Sequence, residues 1–465
     1  MHIARTLTVS CVAACSGGLL ATSTALAGGG DYFDVTTVFV GEDGYGGGGT
    51  DIEYYGNSGG IQGWAVGTTA CNTGNIVAPW YGGTNNVPVI AQNVYRYKSG
   101  RFEQIGLSWL KHSFCAVSEP GCGSCQSTGC NTLGIGCADT YWAGLNADAD
   151  APRSAINATT GQYDYPFDIA PSGPSSIRGK IQLLPDDINP SLNSGAQYFI
   201  EGQYVEPGES DFGMDLQLNN ASSRSVRFTS TTNCVGLSPT DWTMPAVMRW
   251  GDLDANASIS QVITDEDDGV DGIVSGLLHV GGSASASGNL YHYEYVVHNQ
   301  NSYRSVGSFS VPVPDCVEVS NVEVRLPQHH SGEIIDNTPW TWTHGGGMLT
   351  FSSESHASNP NASAIQWATM ANIRFDADAP PINGDVVVTH WRSGPGASSH
   401  VVTLKVPDCD EPDCPEDLNG DGVIDVNDIL ACVAGFGTPN GDVTGDGITD
   451  VDDILALIGA FGTVC

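Results

Sequence analysis

Residues 417–437 and 442–462 of this chain of 465 residues are two copies of one segment, with 12 identities at an offset of 25. Each copy opens with a loop that has oxygen-bearing side chains at positions 1, 3, 5, 9 and 12, glycine at position 6 and a main-chain carbonyl available at position 7. A hard divalent cation binds about six to eight oxygens, and this spacing is typical of a calcium-binding loop. The expected ligands of two Ca²⁺ ions are Asp417, Asn419, Asp421, Val423, Asp425 and Asp428 in the first loop, and Asp442, Thr444, Asp446, Ile448, Asp450 and Asp453 in the second.

Apolar residues follow each loop at helical spacing, and a glycine closes each copy, which predicts one helix after each loop and none before it. The recurring residues are Ile429, Leu430, Val433 and Phe436 in the first copy and Ile454, Leu455, Ile458 and Phe461 in the second. A tandem of loop and helix, with Asp at position 12, resembles a type I dockerin. That family attaches secreted proteins, often polysaccharide-degrading enzymes, to a cohesin. The resemblance implies a cohesin-like or cell-surface protein as the partner.

The repeat differs from well-known dockerins at three places. Positions 10 and 11, often a hydroxyl pair that contacts cohesin in that family, are Val426 and Asn427 in the first copy and Val451 and Asp452 in the second. This difference argues against a cellulosome-type cohesin as the partner. Thr444 replaces the usual Asn or Asp at position 3, so we expect the second loop to bind calcium more weakly.

The N-terminus predicts export. A basic residue within residues 1–5 precedes an apolar stretch, and the small residues 25–27 fit a cleavage site, so residues 1–27 are interpreted as a signal peptide. A lipoprotein cleavage box at residues 12–15 is the alternative. No other apolar run is long enough to span a membrane. The mature protein is therefore expected to be secreted, extracellular or on the cell surface.

Cysteine usage agrees with an oxidising compartment. Of the 14 cysteines, Cys11 and Cys15 lie in the signal peptide, and the remaining 12 are expected to form disulfides. A dense group of residues 115–137, with Cys71 upstream, contains one CxxC and leaves zinc as the alternative. Cys414 and Cys465 flank the calcium repeat, where a bridge would join its ends.

The chain is strongly acidic, with a formal charge of −36 and only 16 Lys and Arg. Nucleic acid and anionic membranes select basic surfaces, so neither is an expected partner. Residues 408–465 contain 14 acidic residues and no basic one. Further acidic groups at residues 265–271, 148–150 and 376–378 are interpreted as solvated loops, with additional calcium sites as the alternative.

The body between the signal peptide and the repeat is expected to be mainly β. Short alternating segments, such as the hairpin of residues 94–105 and the strand of residues 291–297, favour β-sandwich architecture. The predicted organisation is a cysteine-rich β domain at 28–245, a β-sandwich-like domain at 246–407, and a small α-helical dockerin-like calcium module at 408–465. Residues 291–381 also resemble a recurrent uncharacterised module of secreted bacterial β-rich proteins, which implies no activity.

No catalytic constellation stands out in the body, so its catalytic residues are unknown. Ser58 lies in a GxSxG-like segment, but no histidine of the mature chain precedes it, and a strand rather than a helix is predicted after it. His292 and Glu294 share one strand face with His298, which lies roughly 20 Å along the strand from His292, too far for one ion. An exposed polar sheet face is the preferred interpretation. His112, near the cysteines, is a weaker candidate.

Two functions follow from this pattern. The first is a non-catalytic surface or adhesion protein that docks through its calcium module. The alternative is a polysaccharide-degrading enzyme, an O-glycosyl hydrolase, or an accessory protein attached in the same way, since a pair of catalytic carboxylates leaves no local spacing to find. Polysaccharide is then a second expected partner, and some of the ten tryptophans, including Trp340 and Trp342, would stack on sugar rings.

Overall fold

The fold is seen in a computed structural model that describes residues 30–43, 49–270, 272–409 and 414–463. It is mainly β, with 42% strand and 11% helix, which confirms the predicted fold class. The predicted signal peptide, residues 1–27, lies outside the described residues. Within the described ranges, no helix is long and apolar enough to cross a membrane.

The strands form two consecutive groups along the chain. The first group is β1 (Val35–Val40), β2 (Ile52–Ser58), β3 (Ile61–Val66), β4 (Thr68–Asn72), β5 (Ala78–Pro79), β6 (Val89–Lys98), β7 (Arg101–Leu107), β8 (Lys111–His112), β9 (Glu119–Pro120), β10 (Thr132–Leu133), β11 (Cys137–Tyr141), β12 (Ile181–Leu183), β13 (Gln197–Val205), β14 (Ala221–Ser230) and β15 (Asn233–Gly236). The second group is β16 (Ser258–Asp267), β17 (Ile273–Ser287), β18 (Leu290–Asn299), β19 (Val306–Pro312), β20 (Val319–Arg325), β21 (Thr341–Gly345), β22 (Met348–Ser352), β23 (Thr369–Ala377), β24 (Pro381–His390) and β25 (Ser399–Pro407).

Helices are short and few. The α-helices are α1 (Ala143–Asn146), α2 (Pro185–Ile188), α3 (Trp250–Leu253), α4 (Val426–Ala434) and α5 (Val451–Ala460), and 3₁₀ turns cover Arg153–Ala155, Glu209–Phe212, Leu216–Leu218 and Ala246–Arg249. The two longest, α4 and α5, follow the two predicted calcium loops, as expected from the apolar spacing.

Every strand pairing is antiparallel, and the larger sheets pack face to face in layers. The main sheets have the orders β1-β4-β11-β9, β15-β14-β13-β6-β7, β16-β17-β18-β23-β20 and β21-β22-β19-β24-β25. A three-stranded sheet, β12-β3-β2, and a two-stranded sheet, β10-β5, complete the first group. The predicted hairpin of residues 94–105 is β6 and β7, whose register pairs Lys98 with Arg101.

The last two sheets form a β-sandwich with one apolar core. Alternate residues of β18 and β23, such as Tyr293, Tyr295 and Phe375, point inward and meet Phe309 and Phe351 of the opposite sheet. This alternation is the period of two expected for a pleated strand. A β-sandwich is therefore formed by the strands β16 to β25.

The cysteine-rich region is held by disulfides, which excludes the zinc alternative for these cysteines. The pairs are Cys71–Cys122, Cys115–Cys130 and Cys125–Cys137, and a further bridge joins Cys316 to Cys409. Cys414 is also disulfide-bonded, while Cys465 lies outside the described residues.

The prediction that all 12 mature cysteines are oxidised is wrong for Cys234 and Cys432, which are free and buried. Cys234 packs among apolar side chains of the first group, and Cys432 belongs to the small core between α4 and α5. Burial raises the pKa of the Cys234 thiol to about 12. Both residues act as small apolar side chains, which is a common use of an unbridged cysteine.

On the polar face of β18, Glu294 and His298 are buried and His292 is half-buried, so the prediction of an exposed polar face is wrong. The face that carries Glu294 and His298 is covered by the sheet that contains β6 and β7. Polar groups bridge the two sheets: Asn372 Nδ2 donates to the Phe102 carbonyl at 2.7 Å, and the Met370 N–H donates to Gln104 Oε1 at 2.7 Å. The two strand groups are therefore joined by a hydrogen-bonded interface.

Four arginines and four carboxylates form an ionic cluster at the edge of this interface. They are Arg96, Arg101, Glu103 and Asp187 from the first strand group and Glu294, Glu323, Arg325 and Arg374 from the second. Glu103 is its centre, with Arg96 at 2.7 Å, Arg101 at 3.0 Å and Arg325 at 3.1 Å. Burial opposes ionisation of Glu103, but the three guanidiniums outweigh it and hold the pKa below its usual range.

Replacing Glu103 by Gln should destabilise the body by about 3 kcal/mol, because the variant leaves three partly buried guanidiniums without their shared counter-charge. Calorimetric melting of the full chain measures the change. Asp252→Asn is the control, because Asp252 pairs with Arg249 at an exposed site where an ion pair contributes about 1 kcal/mol or less. Equal shifts in the two variants would contradict a structural role for the cluster.

Candidate metal centre in the C-terminal repeat

The first loop is organised by hydrogen bonds to the carboxylate at position 1. Asp417 Oδ1 accepts from the N–H groups of Gly420 at 2.9 Å and Asp421 at 3.2 Å, and Oδ2 accepts from the Gly422 N–H at 2.8 Å. Gly422 has a φ of 85°, in the left-handed region that favours glycine. The backbone therefore curls around the Asp417 side chain, as the sharp turn at position 6 requires.

The second loop repeats this arrangement atom for atom. Asp442 Oδ1 accepts from Gly445 at 2.8 Å and Asp446 at 3.1 Å, and Oδ2 accepts from Gly447 at 2.6 Å. Gly447 has a φ of 96°. Two segments with several different residues thus fold into the same loop, which indicates that the shared aspartates and glycines determine its shape.

The carboxylate at position 12 joins the loop to the helix that follows. Asp428 Oδ2 accepts from the Asp425 N–H at 2.8 Å and Oδ1 from the Asn419 N–H at 3.1 Å, while Asp425 caps α4 through the Asn427 N–H. Asp453 holds Asp450 and Thr444 in the same way. Positions 3, 9 and 12 of each loop are therefore brought together by one short side chain and a capping box.

Backbone hydrogen bonds keep the two position-12 carboxylates ionised. For Asp428, burial acts to raise the pKa, but the N–H groups of Asp425 and Asn419 outweigh it, so the pKa lies below its usual value. For Asp453, the Asp450 and Thr444 N–H groups are the main causes of a lowered pKa. Both side chains are thus anions at neutral pH, the form that binds a metal.

The two loops differ at position 3. Asn419 Oδ1 accepts from the Asp421 N–H at 2.8 Å, whereas the Thr444 hydroxyl donates to Asp442 Oδ1 at 3.4 Å. A hydroxyl is a weaker cation ligand than an amide carbonyl in this role, which agrees with the expectation that the second loop binds less tightly. That affinity difference stays a prediction.

The donor set of both loops suits a hard cation, because every candidate ligand atom is oxygen. No three His, Cys, Asp or Glu side chains gather into a closed ligand cluster anywhere in the described ranges. Instead, loop N–H groups hold each carboxylate, and four carboxylates share each loop in a segment without Lys or Arg. Such a loop fits a divalent cation in chemistry and in charge.

The apolar stripe predicted after each loop divides into a buried and an exposed face. Ile424, Cys432, Val443 and Leu457 form the buried core between the helices, with Ile429 and Ile454 packed against it. The exposed face, named the docking stripes here, consists of Val426, Leu430, Val433 and Phe436 on one copy and Val451, Leu455, Ile458 and Phe461 on the other. Leu430 is 60% exposed and Leu455 is 58% exposed. In the sequence, these stripes could have been recognised because their apolar residues recur at the same offset of 25 that relates the two loops.

The other sequence candidates do not assemble into a catalytic site. Ser58 ends β2 in a hairpin to β3, so no nucleophile elbow with a following helix is present there. His292 lies between Glu294 at 3.0 Å and Asp376 at 2.5 Å; hydrogen bonding to Glu294 is the main cause of its raised pKa, which makes it an ion-pair partner. His298 is buried beside His279.

His112 and the tryptophans are mostly packing residues. His112 Nε2 contacts the Thr84 carbonyl at 2.8 Å, and its ring stacks on Tyr165 with centroids 4.7 Å apart. The buried tryptophans are Trp64, Trp80, Trp109, Trp250, Trp340, Trp367 and Trp391, whereas Trp142, Trp242 and Trp342 are exposed. Trp340 thus belongs to the core, and Trp342 is 46% exposed.

Four cavities on the described surface each contain at most one carboxyl group. The cavity of about 240 Å³ between the two strand groups contains Asp187, which is paired with Arg325 at 2.9 Å. Two others contain Asp267 and Asp164, and the remaining one contains no acid. None of them brings together the two carboxylates that hydrolysis of a glycosidic bond uses.

Comparison with known proteins adds no assignment. No protein-family model matches the chain, and no curated protein is significantly similar to it.

Calcium should slow amide hydrogen exchange in residues 417–437 and 442–462, and chelator should accelerate it. The reason is that each loop without an ion confines four like charges, whose repulsion favours local opening. Exchange measured by mass spectrometry on the full chain provides the test. Asp417→Ala combined with Asp442→Ala should abolish the calcium response, because it removes the side chain around which each loop curls.

Asp452→Asn is the matched control for this experiment. It removes one exposed charge from the second copy and installs the residue that the first copy has at the same position, Asn427. Its calcium response should equal that of the parent chain. Identical exchange with calcium and with chelator in the parent chain would contradict the assignment of both loops as metal sites.

Proposed function

We propose that this protein is a secreted, calcium-binding surface or adhesion component whose C-terminal, dockerin-like module attaches it to a partner protein. The observation that supports the proposal most is the repetition of one hydrogen-bonded loop at Asp417 and at Asp442, each followed by a capped helix. Export is supported by the disulfides of the body, since such bridges persist in oxidising compartments.

Calcium is the proposed cofactor, with one ion in each loop. The ligands would be the side chains at positions 1, 3, 5, 9 and 12 and the main-chain carbonyls of Val423 and Ile448. A bound ion supplies positive charge against four carboxylates per loop. Because the module is too small to bury a large core, ion binding would contribute much of its stability, about 2.7 kcal/mol per site at a hundredfold excess over the dissociation constant.

The docking stripes are the proposed contact surface. Six large apolar side chains of α4 and α5 and the phenylalanine that follows each helix are exposed, outside the small core of the module. Such a continuous apolar surface is typical of a protein-protein contact. The surrounding surface is acidic, with no basic residue in residues 408–465. The partner should therefore present an apolar surface with a basic rim, because complementary charge favours association. A cohesin-like or cell-surface protein of this chemistry fits the module.

Binding of the full chain to a panel of purified cohesin-like domains should require calcium. Leu430→Glu combined with Leu455→Glu should weaken that binding about 100-fold or more, because it places a charge at the centre of each stripe. Biolayer interferometry with calcium and with chelator provides the measurement. Val401→Glu, at an exposed position of β25, is the control and should bind normally.

Binding that is indifferent to chelator, or that survives the double substitution, would place the contact elsewhere. Absence of calcium-dependent binding to every domain of the panel would contradict a cohesin-like partner.

The alternative function is a polysaccharide-degrading enzyme or accessory protein attached by the same module. It is supported by the dockerin resemblance and by the exposed rings of Trp142, Trp242 and Trp342. The cavities with at most one carboxyl group favour the non-catalytic role. Purified protein is accordingly expected to release no reducing sugar from a broad glycan panel. Turnover that a single Asp or Glu substitution in the body abolishes would establish the alternative.

A further inference from the structure

A polar cavity of about 460 Å³ lies where the two strand groups of the body meet, and we name it the junction cavity. Its walls come from Asn85, residues 154–164 and Pro207 of the first strand group and from Tyr303 of the second. Ligand pockets have volumes of about 300–1,000 Å³ and often lie between two structural units. The junction cavity therefore has the size and the position of a ligand-binding site.

Hydrogen bonds fix the walls of the junction cavity. Asn157 Oδ1 accepts from the N–H groups of Thr159 at 3.1 Å and Thr160 at 3.3 Å, which closes a tight turn. Thr159 Oγ1 donates to the Asn301 carbonyl at 2.7 Å and accepts from the Tyr303 N–H at 3.1 Å, so this turn is tied to the second strand group. A site that is held in this way needs little ordering when a ligand binds.

Three polar side chains of the lining are exposed and make no side-chain hydrogen bond within the described part of the chain. They are Asn85, Gln162 and Asp164. The two amides supply donors and acceptors, and the two carboxylate oxygens accept from hydroxyl groups. None of the described residues that line the cavity is Lys, Arg or His. The lining therefore suits a ligand that is rich in hydroxyl groups and carries no negative charge.

Exposed aromatic rings accompany these polar groups. Tyr303 is 42% exposed, and the Arg392 guanidinium lies over its ring at 4.5 Å and donates to its carbonyl, which holds the residue in place. Tyr165, the residue after Asp164, is 41% exposed and stacks on His112 with ring centroids 4.7 Å apart. An aromatic ring offers an apolar face that can cover the C–H face of a sugar while neighbouring polar groups bind its hydroxyls.

We propose that the junction cavity binds a neutral oligosaccharide. Tyr303 would stack on one sugar ring, and the amide and carboxylate groups of the lining would bind hydroxyl groups. Asp164 is the one charged group among the described lining residues, and it would repel an anionic glycan or a nucleotide. A single carboxylate fits binding rather than hydrolysis, which uses two. The site is independent of the C-terminal module and would give the body a ligand of its own.

Isothermal titration calorimetry on the full chain tests the site. The neutral probes are cellohexaose, xylohexaose, mannohexaose and a neutral glycan released from a glycoprotein, and the anionic probe is hexagalacturonate. At least one neutral probe should bind, and hexagalacturonate should not. The identity of the neutral probe that binds distinguishes a polysaccharide from a glycoprotein as the source. Titration in chelator keeps the outcome separate from any failure of the calcium loops or of docking.

Two substitutions in the lining should weaken binding of that neutral probe. Tyr303→Ala removes the stacking ring and Asp164→Asn removes the charged acceptor, and each should raise the dissociation constant about tenfold or more. The matched controls are Trp342→Ala and Asp168→Asn, at exposed positions outside the lining, and both should bind normally.

A second measurement needs no substitution. At saturation, the neutral probe should slow amide hydrogen exchange in residues 154–164 and leave residues 341–345 unchanged. Binding of no neutral probe, or tighter binding of hexagalacturonate, would overturn the proposal. Loss of binding in Trp342→Ala with normal binding in Tyr303→Ala would place the sugar elsewhere, and so would unchanged exchange in residues 154–164.

Discussion

Buried polar groups need partners, and this requirement holds the two strand groups of the body together. A pleated strand points alternate residues to opposite faces, and both faces of β18 and β23 are covered by another sheet over most of their length. One face is apolar and forms the sandwich core. The other carries amides, histidines and carboxylates, several of which pair with groups from β6 and β7. Each half would expose uncompensated polar surface without the other, so the interface is part of the fold.

Basic residues are scarce in this acidic chain, and the body concentrates them in its interior contacts. Arg96, Arg101, Arg325 and Arg374 neutralise the ionic cluster, and Arg153 is fully enclosed, where it donates to carbonyls from both strand groups. Few basic side chains therefore remain to neutralise the other acidic residues. The two C-terminal loops each gather four carboxylates in a segment without Lys or Arg, and an external cation is the proposed counter-charge there.

The C-terminal module has about fifty residues, which is small for an independently stable fold, and it carries two energetic costs. Its loops confine carboxylates that repel each other, and its helices turn as many apolar side chains outward as inward. A bound ion would relieve the first cost and a protein partner the second. Stability and attachment would then be coupled, so that the module holds its partner best where calcium is abundant, as in extracellular space.

The sequence by itself determined what depends on neighbouring residues. Loop spacing, helix starts at Asp425 and Asp450, and the β6–β7 hairpin all arise from contacts within a few residues, so local patterns predict them. Tertiary structure decided what depends on distant pairing. The disulfide partners, the buried second face of β18 and the burial of the free Cys234 depend on residues separated by long stretches of chain. The sequence determines the docking stripes only in part. Their residues repeat visibly in the sequence, but which face is exposed follows only from how α4 packs against α5. No local period encodes which surfaces meet, because that choice rests on the shape and the polar pairing of whole sheets.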